Sequence, residues 1–332
     1  MAIVPVIEES SIPKYKQIVT SIEDAIVSGA LKKGDKLPSL NSIKNQHSLS
    51  RDTVLMAFNE LKMRGVIQSI VGKGYYVTSE DIDVKQKVFL LFDEFNSFKE
   101  DLYNSFLSNL GVHVQVDIFF HHFNKDMFGK LINDNVGNYS HYVVMPANLI
   151  GTQEVLKRLP EDKVYILDQT HANLDTYPSV HQNFEKDIYN GLLEGKSLIS
   201  KYKKMVLSFS SEKQPEGILN GFKLFCENEN IDYEIVDSIK NRALKKGEVY
   251  ILLDDKSLIR IIKKIKEQQL LLGEEIGIIS YNETLLKEIV EGGITTISTD
   301  FNLMSKRLAE MILTNEHIQV DNPSRLIIRK SL

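Results

Sequence analysis

The spacing of apolar residues over the first 80 positions predicts three helices and a β-hairpin. The first helix is expected to bury one face, because apolar side chains recur at helical intervals at Tyr15, Ile18, Val19, Ile22 and Ile26. Gly29 follows this run and is expected to end the helix.

Two further helices are predicted from their capping residues. Ser39 and Ser50 can each accept a hydrogen bond from a free backbone N–H, so we expect each to begin a helix. In the third helix the spacing directs four side chains inward, namely Val54, Ala57, Phe58 and Leu61. The outward face near its N-terminus then carries Arg51, Asp52, Thr53 and Met56.

The residues after the third helix predict a wing. Two β-rich runs at 66–70 and 75–77 flank a tip at 71–74 that contains two glycines. Two helices joined by a short turn, with polar groups at the start of the second, can present side chains to base edges in the major groove. The pattern therefore predicts a module that binds double-stranded DNA.

From residue 87 onward, short β-rich runs alternate with helical stretches. We expect strands at 88–92, 113–119, 141–145, 164–168, 204–208, 233–236, 249–253, 276–280 and 295–298. Such alternation predicts parallel sheets covered by helices. Because these strands are more than one sheet of this kind needs, we predict two α/β lobes with a ligand cleft between them.

A polar, acidic break at 79–83 separates the two patterns. We therefore expect a DNA-binding domain at 1–79, a linker at 80–86, and an effector-binding and dimerisation domain at 87–332. Because the linker is short, a change in the second domain could be transmitted to the first.

The charge distribution agrees modestly with this division. Residues 1–78 contain 10 lysines and arginines and 7 aspartates and glutamates, whereas the remainder contains 30 and 38. A small basic module on an acidic partner fits a chain that contacts phosphates at one end. Because this positive excess is small for tight binding to DNA, we expect a homodimer.

The remaining composition narrows the class of protein. The single cysteine, Cys226, excludes an internal disulfide and suits a reducing cytosol, so we expect a cytoplasmic location. Residues 1–5 lack the features of a signal peptide, and no apolar run is long enough for a membrane span. His121 and His122 are adjacent, but no cysteine or further histidine stands at ligand spacing, so we expect no metal and no cofactor.

In order and spacing, four motifs resemble the winged helix-turn-helix of GntR-type bacterial transcription regulators: residues 12–18, 29–39, 49–54 and 65–77. The resemblance implies DNA contacts from Ser39, Asn41, Ser50, Arg51, Thr53, Gly72, Lys73 and Gly74. Arg51 can fork onto a phosphate or a guanine edge. Alternatively, Arg51 is a surface charge paired with Glu60 or Asp52, and the wing glycines serve turn geometry. Some relatives carry arginines where this chain has Asn41 and Leu55, which leaves the operator sequence open.

A second resemblance covers residues 87–330. The runs at 249–255, 277–283 and 294–301, together with Gly221-Phe222, resemble LacI-type effector domains, whose bilobed fold is shared with periplasmic sugar-binding proteins. The two resemblances together imply an α/β protein: an N-terminal winged helix-turn-helix followed by a two-lobed, periplasmic-binding-protein-like domain with parallel sheets. The whole chain is similar to arabinose-responsive repressors of some bacteria.

The candidate effector residues are polar or aromatic groups, several at the ends of predicted strands, where such folds bind ligands. They are Asp93, Phe95, Asp168, His171, Glu216, Asp254, Asn282 and Phe301. Relatives usually carry an arginine where this chain has Ile218, so the expected cleft is acidic. Such a cleft favours a small neutral monosaccharide (a pentose, hexose or deoxyhexose) over a phosphorylated or carboxylated ligand. Alternatively, Asp254 only caps a helix and Phe301 belongs to a core.

These features favour a sequence-specific regulator of carbohydrate-use genes, expected to be a repressor that a sugar releases from DNA. The alternatives are a regulator activated by its ligand and a sugar-binding module whose head recruits a protein. We expect no catalytic residue and no enzyme activity, because dinucleotide-binding, P-loop and nucleophile-elbow motifs are all missing from the sequence.

Overall fold

The structure is a computed structural model that describes residues 12–332. Residues 1–5, for which no signal peptide is expected, lie outside the described residues. The described chain divides into two compact units. Unit 1 comprises the described residues up to Phe92 together with Leu110–Val144 and Gly151–Tyr165, and unit 2 comprises Asp93–Asn109, Met145–Ile150 and Ile166–Leu332.

The first five elements form the three helices and β-hairpin that the sequence predicts, a part of unit 1 that we call the head. They are α1 (Lys14–Val27), α2 (Leu40–Gln46), α3 (Arg51–Met63), β1 (Ile67–Ile70) and β2 (Gly74–Val77). The two strands are antiparallel, with Ile67 opposite Val77 and Ile70 opposite Gly74. The head has an apolar core in which Phe58 is fully buried and stacks on Tyr75, with ring centroids 4.7 Å apart. The predicted inward face of α3 is confirmed, because its four apolar side chains are all buried.

Strands and helices alternate through the rest of the chain. In order they are β3 (Gln86–Phe92), α4 (Ser97–Leu110), β4 (Val114–Phe120), α5 (Lys125–Asn135), β5 (His141–Val144), α6 (Thr152–Leu156), β6 (Val164–Asp168), β7 (Ser179–His181), α7 (Phe184–Glu194), α8 (Lys196–Ile199), β8 (Lys204–Ser208), α9 (Glu216–Asn228), β9 (Asp232–Val236), β10 (Glu248–Leu252), α10 (Asp255–Glu267), β11 (Ile276–Tyr281), α11 (Leu285–Ile289), β12 (Thr295–Thr299), α12 (Phe301–Thr314), β13 (Gln319–Asp321) and β14 (Ser324–Ile327). Each of the nine predicted strands is present within two residues of its expected bounds.

The strands pair mainly in parallel, as the alternation predicts. In unit 1, β3 pairs with β4 and β5. In unit 2, β7 pairs with β6 and β13, and a separate six-stranded sheet has the order β14-β12-β11-β10-β8-β9. Only its edge strand β14 is antiparallel to its neighbour. The sequence did not predict β7, β13 and β14, because runs of three or four residues carry almost no periodic signal.

The long sheet of unit 2 is covered on both faces, so its central strands β10 and β11 are buried throughout. One cover is α10, whose buried side chains recur at helical intervals: Leu258, Ile261, Ile262 and Ile265. Two further covering helices, α7 and α9, approach each other closely at Gly221, where an added Cβ would lie 2.2 Å from the backbone oxygen of Glu185. Among the described helices, none is long and apolar enough to cross a membrane.

The connection between β2 and β3 is bound to the head. Arg64 is buried at the end of α3 and forms an ion pair with Glu23. Its guanidinium also donates to the carbonyl oxygens of Ile82 and Val84, each at 2.9 Å. The segment expected to be a linker is therefore fastened by hydrogen bonds within unit 1.

Candidate DNA-binding face and effector site

The start of α3 is shaped by Ser50. Its hydroxyl accepts a hydrogen bond from the backbone N–H of Thr53 at 3.0 Å and lies 2.8 Å from the Thr53 hydroxyl. This cap satisfies one of the N–H groups that a helix start leaves free, and it orients the first turn outward. Arg51 and Asp52 are exposed in that turn, and Met56 follows one turn later with 54% of its surface exposed.

Arg51 is available for a ligand in this structure. Within residues 12–332 it forms no ion pair with Asp52 or Glu60, and Glu60 instead lies 3.8 Å from the guanidinium of Arg64. A guanidinium without a protein partner has all its donors free for a phosphate or a base edge.

The loop before α2 adds two exposed polar groups. Ser39 caps the helix by accepting a hydrogen bond from the N–H of Ser42 at 3.1 Å, as the sequence predicts. Asn41 is exposed in the first turn of α2. Both side chains therefore lie on the surface of the head near a helix N-terminus, which favours contact with an anion.

The wing tip has a backbone that only glycine adopts easily. Gly72 and Gly74 have φ values of 72° and 110°, and an added Cβ at Gly72 would meet no atom within 4 Å. Turn geometry rather than crowding thus explains Gly72. Lys73 is exposed between them. Lys36, which was not among the predicted contacts, places its Cε beside Gly74. Two cationic side chains, one from the wing and one from the loop before α2, therefore lie at the wing tip.

The far end of α3 touches the part of unit 1 that follows the head. The hydroxyl of Ser140 donates to the carbonyl oxygen of Met63 at 3.4 Å, and the ammonium of Lys163 lies 2.9 Å from the Met63 sulfur. The helix whose first turn presents Arg51 is thus in contact, at its last residue, with residues beyond β3.

All eight candidate effector residues lie in unit 2. Asp93, directly after β3, forms a buried ion pair with Lys99 in the first turn of α4, and the two residues are 7% and 3% exposed. Lys99 was not a candidate in the sequence. A lysine in an amphipathic helix is expected at the surface. Only the tertiary structure places Lys99 inward, beside Asp93.

Asp168, at the end of β6, faces the same pair. Burial raises the pKa of its carboxyl; the charge of Lys99 lowers it and that of Asp93 raises it. The side-chain amide of Gln182 donates to the Asp168 carboxylate at 2.5 Å, which also favours the ionised form. Asp168 has a φ of 72°, a backbone strain that is tolerated where a side chain must be directed to a functional position.

Gln169 and His171 follow Asp168 closely in the sequence. The amide of Gln169 donates to the Asn148 side-chain oxygen at 2.7 Å, and the Asn148 amide donates to the carbonyl oxygen of Gln214 at 2.8 Å. His171 is half-buried, and burial lowers its pKa against the opposing charge of Asp175. Its Nδ1 is buried and has no hydrogen-bond partner within residues 12–332. A neutral imidazole with an unused nitrogen can bind a hydroxyl.

Asn282, after β11, is a second strained strand end, with a φ of 61°. Its backbone is held by the buried ammonium of Lys287, which donates to the carbonyl oxygens of Tyr281 and Asn282 at 2.9 and 2.7 Å. The Asn282 side-chain oxygen is buried and finds no partner among the described residues. A ligand that donates a hydrogen bond to this unpaired buried acceptor would stabilise it.

The other four candidates have different surroundings. Asp254 caps α10, accepting hydrogen bonds from the N–H and hydroxyl of Ser257 at 2.8 and 2.7 Å. Phe301 is 8% exposed and stacks on Phe98, with centroids 4.9 Å apart. Glu216 and Phe95 are exposed. The structure therefore pairs Asp93 with Lys99 and Asp168 with Gln182. Asp254 has a structural role as a helix cap, and Phe301 has one as part of an aromatic stack.

A family comparison identifies the head. Residues 14–77 match the family described as bacterial regulatory proteins, gntR family. These residues form a GntR-type helix-turn-helix domain. The arabinose metabolism transcriptional repressor of Geobacillus stearothermophilus is 38% identical over 82 residues, which cover 24% of this chain and 22% of that protein. The match thus spans about a fifth of that curated relative.

The rest of the chain shares its fold with LacI-type regulators. The trehalose repressor from Escherichia coli superposes with a TM-score of 0.63 at 13% identity, over 73% of this chain and 99% of that one. A LacI family regulator from Enterococcus faecium with bound ribose gives a TM-score of 0.59 at 15% identity, over 74% and 98%. At these identities the likeness establishes the fold, which is the one expected from the sequence.

Proposed function

We propose that this protein is a repressor of carbohydrate-use genes that binds operator DNA through its GntR-type head and is released by a small neutral sugar. One observation carries the proposal. A single chain contains both a GntR-type head with an exposed Arg51 and the fold of the trehalose repressor. The arabinose repressor that resembles the head and the ribose-bound regulator that shares the fold support the class of effector.

The proposed DNA contacts follow the exposed polar groups of the head. Arg51 and Thr53 would reach the major groove from the first turn of α3, with Ser39, Asn41 and Ser50 near the backbone phosphates. Lys73 and the flanking glycines of the wing, Gly72 and Gly74, would follow the adjacent phosphates. A homodimer, acting in the cytoplasm, would place two such heads on one operator.

The proposed effector contacts come from unit 2. Asp93 and Asp168 would accept hydrogen bonds from sugar hydroxyls, and His171 and Asn282 have unused buried atoms that a hydroxyl could satisfy. Asp254, Glu216 and Phe95 would complete the contacts from exposed positions, and Phe301 would contribute from its buried stack on Phe98. We propose no chemical step, so the sugar should be recovered unchanged.

Release would require the sugar to bind one conformation of the protein better than another. A coupling of about 1–3 kcal/mol corresponds to a 5–150-fold change in DNA affinity. The contact of Met63 with Ser140 and Lys163 supplies a physical link between α3 and the residues that follow the head.

The test measures operator binding by fluorescence anisotropy with the full-length protein and its own promoter DNA. We expect binding to weaken steeply with salt, and a panel of pentoses, hexoses and deoxyhexoses to include one that releases the DNA. Arg51→Ala should lower affinity at least tenfold, whereas Arg260→Ala, which removes an exposed arginine from α10, should not. Equal loss in both variants would contradict the assigned face, and tighter binding with sugar would establish activation instead of release.

A further inference from the structure

The end of α3 packs against the part of unit 1 that follows the head. The carbonyl oxygen of Met63 accepts a hydrogen bond from the Ser140 hydroxyl at 3.4 Å, and the Met63 sulfur lies 2.9 Å from the ammonium of Lys163. The Ser140 hydroxyl also accepts a hydrogen bond from the backbone N–H of Lys87 at 3.1 Å. One side chain therefore links the last residue of α3 to strand β3.

Gly65 and Lys87 make a second contact between the same two parts. Gly65 has a φ of 74°, and an added Cβ there would lie 3.0 Å from the Lys87 side chain. The ammonium of Lys87 forms an ion pair with Asp117 on β4 at 2.8 Å and lies 4.9 Å from the centre of the Tyr139 ring. The turn after α3 thus packs on a side chain whose position is set by the sheet.

The connection between β2 and β3 is held from both sides. On the head side, the buried guanidinium of Arg64 donates to the carbonyl oxygens of Ile82 and Val84, each at 2.9 Å. On the sheet side, the backbone N–H of Lys85 donates to the carbonyl oxygen of His113 at 2.8 Å. A planar guanidinium with five donors can bind several acceptors at once, so it holds a fixed geometry. The connection is therefore hydrogen-bonded to both of the parts that it joins.

We infer that these contacts of Met63, Arg64 and Gly65, which we call the joint, fix the orientation of the head, so that a dimer recognises two half-sites only at one spacing and rotational phase. The inference rests on the proposed function, in which a homodimer places two heads on one operator, and it deepens that function by assigning the cause of spacing selectivity. Arg64 is a positioning residue, because it follows the last turn of α3, roughly 20 Å along the helix axis from Arg51.

A flexible connection would respond differently to a change of spacing. The connection contains eight residues, 78–85. A flexible chain of that length has an end-to-end distance of roughly 15 Å and samples many directions. One base pair added between half-sites moves the far half-site by about 3.4 Å and rotates it by about 35°. A flexible tether absorbs one or two such steps, whereas heads held by the joint lose their alignment with one half-site.

Operator duplexes of altered spacing test the inference with the full-length protein. The two half-sites are first located by footprinting on its own promoter DNA. The duplexes then carry these half-sites at the native spacing or with added base pairs, and a duplex with one half-site reports binding by a single head. Dissociation constants are measured by fluorescence anisotropy. For the wild type we expect an insertion of about two base pairs to weaken binding at least about tenfold, because the second head no longer contributes.

Two sets of variants loosen the joint from opposite sides. Ser140→Ala with Lys163→Ala removes both partners of Met63 without a change in the head. Arg64→Met with Glu23→Gln releases the connection and leaves no unpaired carboxylate behind. In each case we expect the ratio of dissociation constants at shifted and native spacing to fall, by about tenfold for the Arg64 pair, because the freed head can follow its half-site.

Binding to the single half-site separates a loosened joint from a damaged head. It should be unchanged in the Ser140 and Lys163 pair, because Arg51 lies at the other end of α3. Lys130→Ala removes an exposed lysine from α5 of the same unit and should keep the wild-type ratio. Since each variant is judged by a ratio, a general loss of stability does not imitate the effect.

The possible failures are distinguishable. If the wild type bound native and shifted spacings equally well, the head would not be fixed, although DNA binding itself would stand. If the wild type discriminated and both sets of variants discriminated as strongly, the joint would not be the cause. If no operator fragment were bound specifically, the proposed function would fail together with this inference.

Discussion

The candidate DNA contacts of the head and the candidate effector residues of unit 2 present their polar groups in opposite ways. The candidate DNA contacts fall between Ser39 and Gly74, are mostly exposed, and are held by caps that span three residues. The effector candidates extend from Asp93 to Phe301, and their polar groups meet through contacts distant in sequence, such as Gln182 with Asp168. Exposed polar groups remain hydrated at little cost in free energy, whereas buried polar groups need hydrogen-bond or charge partners. We therefore expect changes at the exposed contact residues of the head to alter binding alone and changes inside unit 2 to alter stability as well.

The largest expected effect tests how tightly the interior of unit 2 is packed. Gly221→Ala places a Cβ 2.2 Å from the Glu185 carbonyl oxygen and 2.5 Å from Ile188, so α7 and α9 must separate. We expect a loss of about 3 kcal/mol or more in the free energy of unfolding, measured by urea denaturation.

Gly129→Ala is the matched control, since this glycine lies within α5 and an added Cβ would approach no atom closer than 3.9 Å. It should stabilise the protein by about 0.5–1 kcal/mol, because alanine loses less backbone freedom in a helix. Equal effects of the two substitutions would contradict the close approach of α7 and α9.

A smaller effect is expected from a buried charge in unit 2. Asp187 is 9% exposed, and one of its carboxylate oxygens has no hydrogen-bond partner within residues 12–332. Burial raises its pKa from 3.8 to about 6, and the charge of Asp321 adds to the shift. The folded protein thus binds this proton more tightly than the unfolded chain. Its contribution destabilises the fold above pH 6 and is relieved as the pH falls toward 3.8.

Asp187→Asn should therefore raise the free energy of unfolding by about 2 kcal/mol at pH 7.5 and by little at pH 4. The measurement is the difference between variant and wild type in urea denaturation across this range, which cancels the other titrating groups. Asp237→Asn, at an exposed position, should show no such trend. A constant difference at all pH values would show that Asp187 is not the titrating group.

The smallest effect is expected in the head. Lys73→Ala removes one exposed cation from the wing tip without touching the core. We expect the slope of log affinity against log salt concentration to fall by about 0.9, with an unchanged melting temperature. Lys256→Ala, an exposed lysine on α10, should leave the slope unaltered. A reduced melting temperature for Lys73→Ala would break the distinction between the two regions.

The sequence by itself determined the helices and cap residues of the head and nine strands of the remainder, because these depend on local periodicity and on hydrogen bonds between near neighbours. Ser39 and Ser50 could be recognised as caps for that reason. The sequence also located Asp168 and Asn282 at strand ends. It did not predict the left-handed backbone conformation of these two residues.

Only the tertiary structure decided which polar groups meet. Lys99 and Gln182 carry no local signal of function, and they join Asp93 and Asp168 only because a helix and two strand ends converge in unit 2. The short strands β7, β13 and β14 likewise exist through pairing with distant partners. Long-range contacts are selected by the packing of the whole chain, so a local pattern cannot specify them.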